Sequence, residues 1–191
     1  MGVKLAAASG GSIELVPTNT ASNFTVTVPA VTAVMAIDGP AFGAYTSTDQ
    51  TFSNATFTVT NYQTEEFDLG GCFNNTASTV TLNGLSAPAY SFTPNVAGYY
   101  MVTGASFFNQ SITGEIIATL YKNGATNKSL SDATSVASSY NYQNQGSAMV
   151  YLNGTGDYVQ IYTYQGGGSS FNHNILGASF SYFQAFLARS A

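Results

Sequence analysis

The chain has 191 residues, 45% of them hydrophobic and only 7% charged, with a formal net charge of −5. That length fits one domain, or one domain with a small appendage, and is enough to bury a core. Four Lys and Arg in no cluster exclude a nucleic-acid-binding face, the lack of an apolar run of about 18 residues excludes a membrane-spanning helix, and a single cysteine, Cys72, excludes an intrachain disulfide.

A typical chain carries about 25% charge. One this poor in it must cover its surface with Ser, Thr, Asn, Gln, Gly and Tyr, as β-rich particle components do where subunits bury one another. Residues 1–8 are too short and too weakly apolar for a secretory signal. With one free cysteine, this fits synthesis in a reducing cytoplasm. The sequons at Asn23, Asn54 and Asn74 are what an Asn/Thr-rich chain produces by chance.

Taken from the N-terminus, residues 12–16 and 24–28 alternate in period two around a turn-like stretch at 17–23. Residues 1–38 are too few to own a core, so they read as a β-hairpin or extended arm serving attachment. From residue 39 to 191 the pattern is that of a globular domain. Short β-branched and aromatic runs fall at 41–45, 57–62, 79–82, 89–93, 98–108, 115–121, 147–152, 158–164 and 178–188. Asn83-Gly84, Asn123-Gly124 and Asn153-Gly154 are hairpin signals, and residues 166–170 (Gly-Gly-Gly-Ser-Ser) read as a flexible loop. No segment has the periodicity or caps of a helix. The spacing predicts an all-β sandwich, jelly roll or barrel. In the last strand Phe180, Tyr182, Gln184 and Phe186 share one face, and Phe183, Ala185 and Leu187 share the other. A strand apolar on both faces is expected in a sandwich centre or at a subunit interface.

Ordered segments carry a resemblance: PAFGAY from Pro40, EEFDLGGCF from Glu65, FTPNVAGYYMVTG from Phe92, ATLYKNG from Ala118, GDYVQIYTY from Gly156 and SFSYFQAFLA from Ser179. Together they resemble the trimeric globular head of the complement recognition subunit, a relative of tumour necrosis factor, in the version found in phage tail and head proteins. Residues 10–30 are similar to leader segments of phage virion proteins. The chain lacks a collagen-like stretch and ends in Ala-Arg-Ser-Ala, so animal-type ligand recognition is not carried over. The resemblance implies an antiparallel jelly-roll β-sandwich over residues 39–191, preceded by the arm, and a homotrimer. Phe180, Tyr182, Phe186, Tyr99 and Tyr162 are the expected interface.

Candidates for chemistry are few. His173 is the only histidine and sits in a polar stretch after the glycine run, where histidines are usually solvated. Cys72 follows Gly70-Gly71 in aromatic surroundings and reads as a small buried residue, although a Cys–His nucleophile pair uses the same residue types. Glu65, Glu66 and Asp68 form the acidic cluster. Such carboxylates can hold a hard cation or flank a glycosidic bond, but neighbours on an extended strand point apart, and a solvated loop edge is the plainer reading. Gly166, Gly167 and Gly168 lack the Lys and helix of a phosphate loop. Tyr140, Tyr142, Tyr151, Tyr158, Tyr162 and Tyr164 offer amphipathic surface for glycans or protein contacts.

The expected function is that of a virion structural protein without catalytic residue, metal or cofactor. It is a trimeric capsid decoration (cement) protein, made in the host cytoplasm and exposed on the virion surface. Its expected partners are its own copies, the major capsid protein and host surface glycans, with no nucleic acid and no membrane insertion. The alternatives are the receptor-binding tip of a tail fibre or tailspike, with a tail component as partner, and a carbohydrate-binding module.

Overall fold

A computed structural model describes residues 3–6, 12–15, 39–108, 113–135, 142–168, 171–173 and 179–191, with the backbone alone at 3–6, 12–15, 135 and 171–173. The chain divides into two compact units, residues 1–33 and 34–191. In the first, β1 (Val3–Ala6) pairs antiparallel with β2 (Ser12–Leu15), which falls on the alternation read at 12–16. The expected strand at 24–28 and turn at 17–23 lie outside the described residues.

The second unit is an antiparallel jelly roll without α-helix among its described residues. Its strands are β3 (Ala41–Tyr45), β4 (Gln50–Phe52), β5 (Thr58–Val59), β6 (Thr64–Leu69), β7 (Val80–Leu82), β8 (Leu85–Ala87) and β9 (Gly98–Phe108), followed by β10 (Gly114–Lys122), β11 (Ala125–Ser135), β12 (Tyr142–Leu152), β13 (Val159–Gln165), β14 (Phe171–His173) and β15 (Tyr182–Ser190). One sheet has the order β12-β9-β15-β3-β6 and the other β11-β10-β13-β5. Two small pairs, β14-β4 and β7-β8, complete the unit.

The turn chemistry explains two hairpins directly. Asn83 and Gly84 have φ of 50° and 79° and join β7 to β8, with Leu82 opposite Leu85. Asn123 and Gly124, at 52° and 77°, join β10 to β11 with Lys122 opposite Ala125. Two successive positive φ values give the primed turn whose twist matches the strands. Asn153-Gly154 behaves differently. Gly154 has φ of 70° but Asn153 does not share the positive range, and the segment crosses from β12 in one sheet to β13 in the other. The hairpin expected there is absent.

Other expectations are corrected in detail. Residues 89–93 form no strand. Pro88 and Pro94 each remove a ladder donor, and Tyr90 has a positive φ of 53°. Only Phe92 keeps bridges, to Phe73 and Val159. The final strand begins at Tyr182, after a turn and bend at residues 179–181, and 178 lies outside the described residues. The acidic cluster lies on edge strand β6 and is no loop. His173 belongs to β14, paired with β4, where a polar loop was expected.

The core lies between the two large sheets. Phe42 stacks on Phe73 at 4.3 Å and 8°, and meets Phe183 edge-on at 4.8 Å and 87°, both favourable ring geometries. Tyr100, Val102, Leu120, Val150, Leu152, Val159 and Ile161 complete this cluster, and Phe52, Phe108 and Ile116 form a smaller one. Gly104 brings β9 close to the facing sheet, since a Cβ there would lie 2.7 Å from Ile161. A hydroxyl chain also crosses the interior. Thr60 Oγ1 and Ser106 Oγ lie 2.8 and 2.7 Å from Thr163 Oγ1, and Tyr62 donates to the Ala105 carbonyl at 3.0 Å. Buried hydroxyls are tolerable when they satisfy one another in this way.

Candidate functional site

The feature that departs most from an ordinary soluble surface is the outer face of the five-stranded sheet. Strand alternation sends Tyr100, Val102, Phe183 and Ala185 inward and their neighbours outward. Cross-strand register then builds rows. Leu69, Ala41, Phe186, Met101 and Met149 lie side by side across β6, β3, β15, β9 and β12. The next row is Phe67, Gly43, Gln184, Thr103 and Ser147. At one end a bulge in β15 places Arg189 opposite Tyr99, which faces Tyr151 with ring centroids 5.4 Å apart. At the other end Phe180 covers Phe107 at 4.9 Å.

Phe67, Leu69, Tyr99, Met149, Tyr151, Phe180 and Phe186 are all exposed here, Leu69 and Phe186 to 55% and 53%. Among the described residues Phe57 alone is a comparably exposed large apolar side chain elsewhere. A contiguous apolar patch rimmed by polar residues marks an interaction surface. Within it lies a depression of about 300 Å³ bordered by Phe67, Phe186, Met101, Gln184 and Thr103. The Phe67 ring leans over Gly43, where a Cβ would come within 2.8 Å of it. In the polar row Thr103 Oγ1 lies 2.7 Å from Ser147 Oγ.

Four of the five expected interface residues meet on this surface. Phe186 and Tyr99 are exposed, Phe180 caps Phe107, and Tyr182 donates to Gln145 Oε1 at 3.2 Å. Tyr162 does not join them. It stands on the outer face of the four-stranded sheet, stacked on Tyr121 at 3.9 Å and 20°, beside Phe57 and Tyr164 at 5.0 Å from each other. Burial, with Tyr158 and Tyr121 adding to it, raises the Tyr162 hydroxyl above its ordinary pKa. Sequence reasoning missed Phe67 and Leu69 because the Glu-Glu-Phe-Asp-Leu stretch was read as an acidic edge. Its alternation of Glu66, Phe67, Asp68 and Leu69 was the available signal.

The chemical candidates have structural occupations. Cys72 is buried, receives a contact from Asn83 Nδ2 at 3.6 Å and lies 3.4 Å from the Gly70 carbonyl. Burial pushes its thiol up, against the hydrogen-bonding groups of Asn95 and Asn83, so it is held as the thiol, the poorer nucleophile. Asp68 accepts the amides of Cys72 and Phe73, both at 3.0 Å. Glu65 is raised by desolvation and by the Asp68 charge. Among the described residues no group of three His, Cys, Asp or Glu could hold a metal ion. The amides of Gly166, Gly167 and Gly168 are already bonded to Glu115 O, Gln165 Oε1 and Asn54 Oδ1, which leaves no open anion cradle. Asn74 is 2% exposed and donates to three carbonyls, those of Ser78, Ala87 and Pro88, so its sequon is sterically closed. Tyr140 and Asn23 lie outside the described residues.

No protein-family model matches the sequence, and no curated protein matches it. Solved structures do match in shape. The globular domain of zebrafish complement 1qA aligns over 81% of this chain and 100% of its own, at 18% identity and a TM-score of 0.55. Murine APRIL aligns over 78% and 99%, at 10% identity and 0.52. Eiger TNF from S. frugiperda aligns over 81% and 94%, at 12% identity and 0.50. These likenesses establish the jelly-roll fold of the C1q and TNF type.

Proposed function

We propose that the chain is a structural protein of a bacteriophage particle, a homotrimer that decorates the capsid surface and binds by geometry instead of catalysis. The observation that carries the reading is the charge-poor, aromatic outer face of the five-stranded sheet, which leaves Phe186, Tyr99, Phe67 and Leu69 in water in a single copy. Association removes that apolar area from solvent, worth about 25 cal/mol per Å². The sequence segments similar to phage virion proteins supply the setting, and the low charge suits a surface buried against neighbours. The residues at 1–38 serve as the attachment arm toward the major capsid protein. Three arms on one trimer add avidity of about 10²–10⁴ over a single contact.

A specific observation favours adhesion as a second role. The rings of Phe57, Tyr121, Tyr162 and Tyr164 form a shelf on the opposite sheet, away from the proposed subunit contact. Such a shelf suits host surface glycans, whether the trimer sits on the head or at a tail-fibre tip.

The test is Phe186→Asp. Burying its remaining exposed half is worth about 1 kcal/mol, and desolvating a carboxylate in its place costs several more. The variant should therefore sediment as a folded monomer where the parent is a trimer, and should lose particle binding. Wild-type protein that is monomeric at micromolar concentration, with no threefold density on particles, would refute the assembly. Antibody labelling of intact particles separates head from tail.

A further inference from the structure

We propose that Asn153 is a self-modification site: the Gly154 nitrogen displaces its side-chain amide as ammonia, while the fold holds the chemically equivalent pairs Asn83-Gly84 and Asn123-Gly124 inert. This goes beyond the assembly reading and does not rest on it.

All three asparagines are exposed, and each precedes a glycine, which has no side chain to obstruct attack of its nitrogen on the asparagine Cγ. Their surroundings separate them. Asn83 donates its side-chain nitrogen to the carbonyls of Gly70 and Gly71 at 2.7 and 3.0 Å. Asn123 donates its own to the Asp157 carboxylate at 2.7 Å, and its Oδ1 accepts the Tyr158 amide at 3.0 Å. In both, the leaving nitrogen is anchored and the backbone is fixed at positive φ in a hairpin turn. Asn153 is free of both constraints. It lies outside the positive-φ range, and neither its Nδ2 nor the attacking Gly154 amide has a hydrogen-bond partner among the described residues.

Asn153 Oδ1 instead accepts two backbone amides, those of Thr155 at 2.9 Å and Asp157 at 3.0 Å. Attack turns that oxygen into an oxyanion. Hydrogen bonds to an ionised acceptor are about twice as strong as neutral ones, so the pair stabilises the tetrahedral intermediate more than the resting amide. The Gly154 nitrogen gives its proton to solvent base and bonds to Cγ. The Cγ–Nδ2 bond then breaks, ammonia leaves with a solvent proton, and a cyclic imide remains. Water opens the imide at either carbonyl, to aspartate or to isoaspartate. Aspartate keeps an oxygen for both amides. Isoaspartate lengthens the main chain by a methylene in a crossover where even a Cβ on Gly154 would lie 2.5 Å from the Ala97 nitrogen. That product therefore strains the contacts that Lys122, Asn123 and the Asn153 amide make with Asp157.

The experiment ages the full chain at mildly alkaline pH in heavy-oxygen water and follows its peptides by mass spectrometry. The Asn153 peptide should lose ammonia, take up heavy oxygen and give both aspartate and isoaspartate, about tenfold or more faster than the Asn83 and Asn123 peptides. In urea the three should react at similar rates, since each is an Asn-Gly pair. Equal rates in the folded chain, or Asn83 or Asn123 reacting first, would overturn the proposal. So would a preference for Asn153 that persists in urea. Thr155→Pro removes one of the two amides facing Oδ1. It should slow the reaction at Asn153 by about tenfold, less than the 10²–10³ of a buried oxyanion hole because the turn is in water. An unchanged rate in the folded variant would also overturn the proposal. If that variant does not fold, the comparison of native and urea-unfolded wild type decides by itself.

Discussion

Removing the Asp157 carboxylate should loosen one end of the sandwich, and only above acidic pH. Asp157 lies in the crossover between β12 and β13, and Lys122 ends β10. Its carboxylate lies 2.8 Å from Lys122 Nζ, and accepts from Asn123 Nδ2 at 2.7 Å and from the Asn153 amide at 3.1 Å. Lys122 also donates to the Tyr151 carbonyl at 2.8 Å and sits 5.8 Å from that ring's centroid. The crossover, the β10–β11 hairpin and the end of β12 are thus fastened at one carboxylate. The side chains are 24% and 12% exposed, so the pair is neither dry nor fully screened. Taking about 1 kcal/mol for each of the two neutral donors and about 1 kcal/mol for the screened ion pair, Asp157→Ala should cost about 3 kcal/mol. Asp157→Asn, which keeps the shape, should cost about half that. Desolvation pushes the Asp157 pKa up, but the hydrogen bonds from Lys122, Asn123 and Asn153 and the Lys122 charge outweigh it, so the folded value lies below the ordinary 3.8. A depressed carboxylate contributes stability that is complete above the unfolded pKa and lost as pH falls through the folded one. Urea titrations of the wild type, Asp157→Ala, Lys122→Met and the double variant measure the coupling. It should be near 1 kcal/mol at neutral pH and be lost in acid, as pH falls through the folded carboxylate's depressed pKa, below the ordinary 3.8. A coupling that is the same at both pH values would refute the reasoning.

Gly104→Val should overpack the sheet interface against Ile161, whose nearest atoms would lie 2.7 Å from the new Cβ; about 1–3 kcal/mol of lost stability is expected in thermal unfolding. Asn74→Ala strips the donor shared by the carbonyls of Ser78, Ala87 and Pro88 and the acceptor for Thr76, and should cost about 2–4 kcal/mol by denaturant titration. Burial raises the hydroxyls of Tyr62 and Tyr100 well above the ordinary 10.0. Their contribution is therefore complete below that value and lost as pH rises toward the folded ones. Absorbance at alkaline pH should show both ionising only together with unfolding.

Local chemistry determined much of this protein in the sequence itself. Short β-branched and aromatic runs between turn residues located β3 and β9 to the residue. Asn83-Gly84 and Asn123-Gly124 specified their hairpins because both residues accept positive φ. The shortage of charge announced a surface with unusual solvation. Strand β11 stayed invisible: Ala-Thr-Asn-Lys-Ser-Leu-Ser-Asp-Ala-Thr-Ser is an exposed edge with two register shifts and no buried stripe to betray it. Only tertiary structure could decide whether Asn153-Gly154 turns within a sheet or crosses between sheets, since the dipeptide fits either. The same holds for the aromatic residues. Phe186 and Tyr162 both alternate outward on their strands, yet they stand on opposite sheets. A period of two tells which residues share a face of one strand, whereas the gathering of Leu69, Phe186 and Met101 into one surface depends on long-range pairing that no local pattern encodes.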